Sequence, residues 1–313
     1  MRAVGLMTHG GPEVLQVVEL EEVNAGPGQI RIRNMAAAVN PTDIVARDGT
    51  RAKLQSEFPP PYVPGMDAAG VVDQLGEGVA GGVNVGDRVM AMVVPRASHG
   101  AYREQLLLNH QAVVPAPANT SHVEACTLPM NALTARLSLD LLELSRGDVV
   151  AVTGGPGAYG GYVIQLAKDM GLTVIGDGAE DDRNLLESLG MDIVVERGEG
   201  FAERVREHFP NGVDGLADGA LLNEKAIGAV SNGGSFTSIR GFQGEPQRDI
   251  RFTQTWVTRY NDRYDLLDGL RQQTEEGVLT LRVADTVSPE EAPRAHRRLA
   301  AGGTRGRMVI DFS

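Results

Sequence analysis

Residues 153–161, TGGPGAYGG, contain Gly155-Pro-Gly157-Ala-Tyr-Gly160, three glycines in the spacing G-x-G-x-x-G. Glycines so placed let a strand turn tightly into a helix, admit a pyrophosphate against bare backbone, and let the helix close on the strand. The helix N-terminus adds free N–H groups and a favourable dipole. An apolar run at 148–153 precedes the motif and a helical pattern at 158–171 follows it, which is the context a dinucleotide site requires. The alternative is a glycine-rich turn with no ligand. Gly155, Gly157, Ala158, Tyr159 and Gly160 are the candidate phosphate-binding residues, with Tyr159 expected to pack. Asp177 follows the next strand pattern, about 20 residues on, where a carboxylate accepts ribose hydroxyls and repels a 2′-phosphate. It favours NADH. Arg183 and Arg197 push the other way if they turn inward to pair with a phosphate, and are ordinary solvated surface otherwise.

A second stretch, VNPTD at 39–43, ends an apolar run in a polar turn. Asn-Pro-Thr-Asp is ordinary turn chemistry, yet Asn40 could also offer its amide to a reacting group. Metal chemistry has little to draw on. The single cysteine, Cys126, allows neither an intramolecular disulfide nor a zinc site of several thiolates, and it reads as a core thiol. The six histidines show no ligand spacing such as H-x-x-x-H. With 29 Lys and Arg against 41 Asp and Glu, the net charge of -12 works against binding nucleic acid or an anionic membrane surface. No apolar run is long enough to span a bilayer and the N-terminus lacks a signal-peptide core, so a cytoplasmic protein is expected.

Two kinds of segment must position these residues. The first 118 residues read as short β segments broken by Gly and Pro. At 29–39, Ile30 and Ile32 alternate with Arg31 and Arg33, and 68–76 and 83–94 continue the pattern. Cap chemistry at Asn119, Thr120 and Ser121 opens helical periodicity over 123–144. Strands expected at 148–153, 172–176, 192–196, 213–218 and 235–239 then alternate with helices at 158–171, 183–190, 201–209 and 222–231. That alternation means βαβ units and a parallel sheet, an α/β fold. The last fifty residues return to a mixed pattern, with helix 261–277, strand 278–283, a helix over 288–303 opened by a Ser288–Glu291 capping box, and strand 305–312. Arg294, Arg297 and Arg298 read as a solvated face of that helix.

The order of these parts resembles the medium-chain dehydrogenase/reductase superfamily, nearest its zinc-independent quinone oxidoreductase-like branch. GGPEVL (10–15), VNPTD (39–43), VPGMDAAGVV (63–72), VGDRVMA (85–91), GAYREQ, LPMNALTA, GGPGAYGG and the closing AHRRLAAGGTRGRMVI carry it across nearly the whole chain. The resemblance implies a β-rich GroES-like catalytic domain at 1–118 and 262–313 around a Rossmann domain, a doubly wound parallel sheet, at 119–261. Zinc-dependent relatives place Cys where Asn40 stands, a His-Glu pair where Met66 and Asp67 stand, and a four-cysteine lobe that has no counterpart here. A site without zinc is expected. Without a Lewis acid the substrate must delocalise the charge a hydride brings, as a quinone or a conjugated enal or enone does.

By match to the family's Asn-Pro and Leu-Thr-Ala segments, Asn40 and Thr134 are expected near the nicotinamide. Relatives often carry an aromatic residue five positions after that Asn; here Val45 stands there, so Arg47, Tyr62 or solvent is left to supply a proton. Ser238, Arg240 and Arg305 join the coenzyme-binding set on the same ground. The family favours NADPH, against the indication from Asp177, and implies a homodimer. The expected activity is hydride transfer from NADPH or NADH to a small molecule, a quinone or activated alkene. An enoyl or 2-alkenal reductase on the same scaffold, or a non-catalytic dinucleotide-binding redox sensor, is the alternative.

Overall fold

The computed structural model describes residues 1–79 and 82–313. Two units emerge: Met1–Met130, Tyr260–Glu275 and Leu281–Ser313 form one, Asn131–Arg259 and Glu276–Thr280 the other. Residues 119–130, expected with the nucleotide domain, group with the first unit.

The first unit is organised by the strand Gln29–Val39. Its early part alternates, Ile30 and Ile32 buried and Arg33 exposed, while Ala36, Ala37, Ala38 and Val39 are all buried. It pairs antiparallel with Asp67–Leu75, Gln105–Asn109 and Arg307–Asp311, so the C-terminal strand seals onto the middle of the sheet. Val283–Val287 runs parallel to Arg307–Asp311, joined to it through the helix Ala292–Ala300. Val39 is the last strand residue because Pro41 has no N–H to give the ladder and its fixed φ suits the first turn of a helix. The helix Pro41–Asp48 follows at once and stops at Gly49, whose φ of 94° ends it. The expected strand at 278–283 begins only at Val283. Thr280 instead gives its N–H to Gln165 Oε1 at 3.2 Å and takes the Gln165 amide on its hydroxyl at 3.0 Å, within the second unit.

In the second unit six strands form one parallel sheet in the order Ile193–Glu196, Thr173–Gly178, Val149–Thr153, Val213–Asp218, Val230–Ile239, Arg251–Thr255. Numbered along the chain this is 3-2-1-4-5-6, the doubly wound order whose direction reverses between strands 1 and 4. The outermost strand, Arg251–Thr255, is polar at every position but Phe252 and was not legible from periodicity. The helix expected over 123–144 is two, His122–Ala125 and Pro129–Leu142. A Ser121–Glu124 capping box starts the first, and Pro129 disfavours helical geometry at the residue before it.

Candidate functional site

The glycine turn sits where strand Val149–Thr153 enters helix Ala158–Asp169, at the carboxyl end of the sheet and beside the reversal of strand order. The left-handed residue is Gly154, φ 70°, one position before the motif's first glycine. A β-carbon on Gly160 would run into the carbonyl oxygen of Gly154, and one on Gly155 would stand 2.9 Å from Leu186. Gly160 is thus required by the close approach of helix to turn, and the first helical N–H groups are left facing out from a dipole-positive end.

Carboxylates from both neighbouring strands pin this turn. Asp177 Oδ1 accepts the Gly154 N–H at 2.6 Å, and Asp218 Oδ1 accepts the Thr153 hydroxyl at 2.5 Å. Asp218 also takes the N–H groups of Leu222 and Asn223, fixing the loop after its strand. Asp177 is buried, and its second oxygen faces Arg197 Nε at 3.2 Å. Arg197, whose side chain is 41% exposed, reaches Asp182 as well. Arg183 instead lies on the surface with Glu180 and Glu187. Ser238 is buried with its hydroxyl on the Ile239 carbonyl, Arg240 is exposed with φ 67°, and Arg305 is half-buried in the first unit. The residues present therefore fit a dinucleotide: a bare turn, open helix amides, and a cation beside the acid that ends the second strand.

In the first unit Asn40 is fully buried and is the N-cap residue of the helix Pro41–Asp48. Its N–H donates to Asp43 Oδ2 at 2.8 Å. Its side-chain amide donates to Asp67 Oδ2 at 2.7 Å, with the Ala38 carbonyl at 3.4 Å. Asp67 Oδ1 accepts the Met130 N–H at 2.6 Å. The donor that the sequence offered to a substrate is engaged within the protein, so a substrate would have to displace it.

Asp43 further accepts the Gly65 N–H and the Tyr102 hydroxyl, both at 3.0 Å, and His296 Nε2 lies 3.2 Å from that hydroxyl. Since the Tyr102 hydrogen goes to Asp43, the imidazole donates to the phenol oxygen. Burial pushes the Asp43 carboxyl up to about 6 and that of Asp67 up to about 7. Burial, with the Arg47 charge second, drives His296 down to about 3.

Arg47 is buried in the same helix and lowered by desolvation, its Nε and Nη1 without partners. Tyr62 donates its hydroxyl to the Phe58 carbonyl at 2.9 Å and stacks on His9. Thr134 is buried in the helix Pro129–Leu142. Cys126 is buried, its thiol pushed up by desolvation. Asp67 entered the sequence reading only as the counterpart of a zinc ligand and His296 only as one of six histidines, while Tyr102 and Asp218, far apart in sequence, carried no signal. Only Asp43, three residues after Asn40, carried a capping-box signal.

These residues do not fit zinc. Asn40 presents amide hydrogens rather than a lone pair to Asp67, and the Met66 sulfur accepts the Thr42 hydroxyl at 3.3 Å. Among the described residues no group of three His, Cys, Asp or Glu is placed to hold a metal ion.

Residues 26–118 match the alcohol dehydrogenase GroES-like domain, and residues 189–310 match a family model described as zinc-binding dehydrogenase. Over 99% of its length the chain is 31% identical to the 2-methylene-furan-3-one reductase of Solanum lycopersicum, covering 79% of that protein. It is 25% identical to a quinone oxidoreductase of Pseudomonas aeruginosa across 99% of both chains. A crystal structure of an NAD-dependent alcohol dehydrogenase superimposes with a TM-score of 0.89 at 30% identity over 100% of each chain. With matches spanning both units and the glycine turn, the chain belongs to the medium-chain dehydrogenase/reductase superfamily, in its quinone oxidoreductase-like branch.

Proposed function

We propose that the protein is an NAD(P)H-dependent, zinc-independent oxidoreductase that reduces a quinone or an activated alkene. The observation that carries this is the glycine turn: a G-x-G-x-x-G whose last glycine is sterically obligatory, at the carboxyl end of a 3-2-1-4-5-6 sheet, beside the reversal of strand order. Relatives named for a conjugated furanone and for quinones support the substrate class, and the two share one requirement. Each takes up hydride to give an anion that its own π system spreads, so no Lewis acid is needed.

The nicotinamide, when bound, supplies the hydride. Gly155, Gly157, Ala158 and Gly160 hold the pyrophosphate against the turn. The preferred coenzyme is NADPH: Asp177 is committed to the Gly154 amide, Arg197 offsets its charge, and the same guanidinium supplies the cation a 2′-phosphate needs. Thr134 is assigned to the nicotinamide end, and Asn40 holds the start of its helix and Asp67. The completing proton comes from solvent, because the Tyr62 hydrogen is held by Phe58 and the Arg47 guanidinium is no acid at working pH.

The enzyme is a cytoplasmic homodimer in this reading. No helix among the described residues is long and apolar enough to cross a membrane, and Arg251–Thr255, as an outer strand, offers an edge for pairing across a two-fold axis. A light-scattering mass near the 33.3 kDa of one chain would refute the dimer.

The activity is tested by mixing the protein with NADPH or NADH and either 9,10-phenanthrenequinone or a 2-alkenal, and following the nicotinamide absorbance. Oxidation is expected, faster with NADPH, with Arg197→Gln narrowing the preference. Saturable coenzyme binding without oxidation in both substrate classes would leave only the binding-protein alternative.

A further inference from the structure

Tyr159 stands inside the glycine motif, yet its side chain does not merely fill space. Its hydroxyl donates to Ser138 Oγ at 2.8 Å. Ser138 lies one helical turn after Thr134 and gives its own hydrogen to the Thr134 carbonyl at 2.9 Å. The Ser138 oxygen then meets Thr255 Oγ1 at 3.0 Å, and Thr255 meets Thr237 Oγ1 at 2.9 Å. The direction that matters is fixed: Tyr159 donates to Ser138, and Ser138 donates to the Thr134 carbonyl. Ser138 and Thr237 are fully buried, Thr255 and Tyr159 nearly so. The Tyr159 ring also covers Gly219, where a β-carbon would stand 2.6 Å from it. Burial holds the phenol well above its ordinary pKa, so it stays a neutral donor.

The chain thus ties four pieces of the second unit: the glycine turn, the loop after strand Val213–Asp218, the Thr134 helix, and the two outermost strands on the Arg251–Thr255 side. We propose that Tyr159 and Ser138 are a positioning pair that sets the glycine turn against the Thr134 helix and so fixes coenzyme affinity. Neither touches the coenzyme; both act through the backbone they hold. The assignment rests on the coenzyme reading above.

The physical reason is the cost of an orphaned hydroxyl. Without Ser138 Oγ the buried Tyr159 hydroxyl has lost its acceptor, and relief requires the ring to swing, moving the first turn of the helix and the Gly219 loop with it. Removing the hydroxyl as well removes that drive. The two substitutions must therefore be non-additive.

The test is a double-mutant cycle read by NADPH fluorescence titration, with thermal midpoints measured in parallel. Ser138→Ala is expected to raise the NADPH Kd about tenfold, given an orphaned buried hydroxyl. Tyr159→Phe, which leaves the other hydroxyls paired and is nearly isosteric, is expected to raise it only about threefold. The double variant is expected to match Tyr159→Phe rather than to reach the product of the two. Variants that melt earlier while binding NADPH as wild type does would show a purely structural network and overturn the proposal, as would multiplicative effects on Kd. If Ser138→Ala fails to fold, Tyr159→Phe alone decides: an unchanged Kd sinks the idea. Failure of the wild-type protein to bind NADPH or NADH would instead refute the coenzyme reading itself.

Discussion

Asn40 shows how far a residue type can mislead about its work. Its side-chain amide suits a substrate carbonyl, but the fold gives it to Asp67, while its backbone N–H anchors the start of the next helix through Asp43. Asp177 shows the same at the other site: the carboxylate expected to read a ribose fastens the Gly154 amide. In both, a short polar side chain beside a turn is engaged inside the protein before any ligand can reach it. Asn40→Ala should therefore cost stability before chemistry. Loss of the donor to a buried carboxyl should lower unfolding free energy by about 2 kcal/mol. Chemical denaturation checks this; a change under half that size would return Asn40 to the candidates for a substrate-facing donor.

At the scale of elements, the alternation of strands and helices between 148 and 239 was legible because the central strands are buried on both faces and each helix is punctuated by glycine or a cap. The glycine turn was legible for a steric reason, since no other residue fits at Gly160. Arg251–Thr255 was not: a half-covered outer strand with Arg251, Thr253 and Gln254 gives no apolar run. The strand expected at 278–283 failed because tertiary bonds to Gln165 outweigh the β propensity of Val278, Leu279 and Leu281. The hydroxyl chain was illegible in principle, since Ser138 and Thr255 are 117 residues apart and their types are unremarkable. Gly160→Ala is expected to abolish tight NADPH binding, weakening it by at least about a hundredfold, because the turn must open to admit the methyl. Near-normal affinity in that variant would show that the turn does not hold the coenzyme.

For the whole molecule, the buried cluster in the first unit makes stability depend on pH. His296 takes up a proton near 6.5 when unfolded but only near 3 when folded. Below 6.5 the unfolded chain binds the extra proton, so this contribution is complete above that value and is lost as pH falls toward 3. Asp43, held at about 6 by burial, acts in the opposite sense: the folded state keeps its proton longer, and its contribution is lost as pH rises from 3.8 through 6. His296→Gln keeps an amide donor for Tyr102 and cannot charge. Its thermal midpoint should fall less steeply than wild type between pH 6.5 and 4, while an identical slope would place the acid sensitivity elsewhere.

The central claim is hydride transfer from a nicotinamide to a charge-delocalising acceptor without zinc, and one measurement addresses it directly. The protein is stripped with a strong chelator, then mixed with NADPH deuterated at C4 and a 2-alkenal or a quinone. Undiminished turnover is expected, with deuterium at the carbon β to the alkenal carbonyl and no gain on adding zinc. Activity that disappears with the chelator and returns with zinc, or NADPH bound but never oxidised, would contradict it.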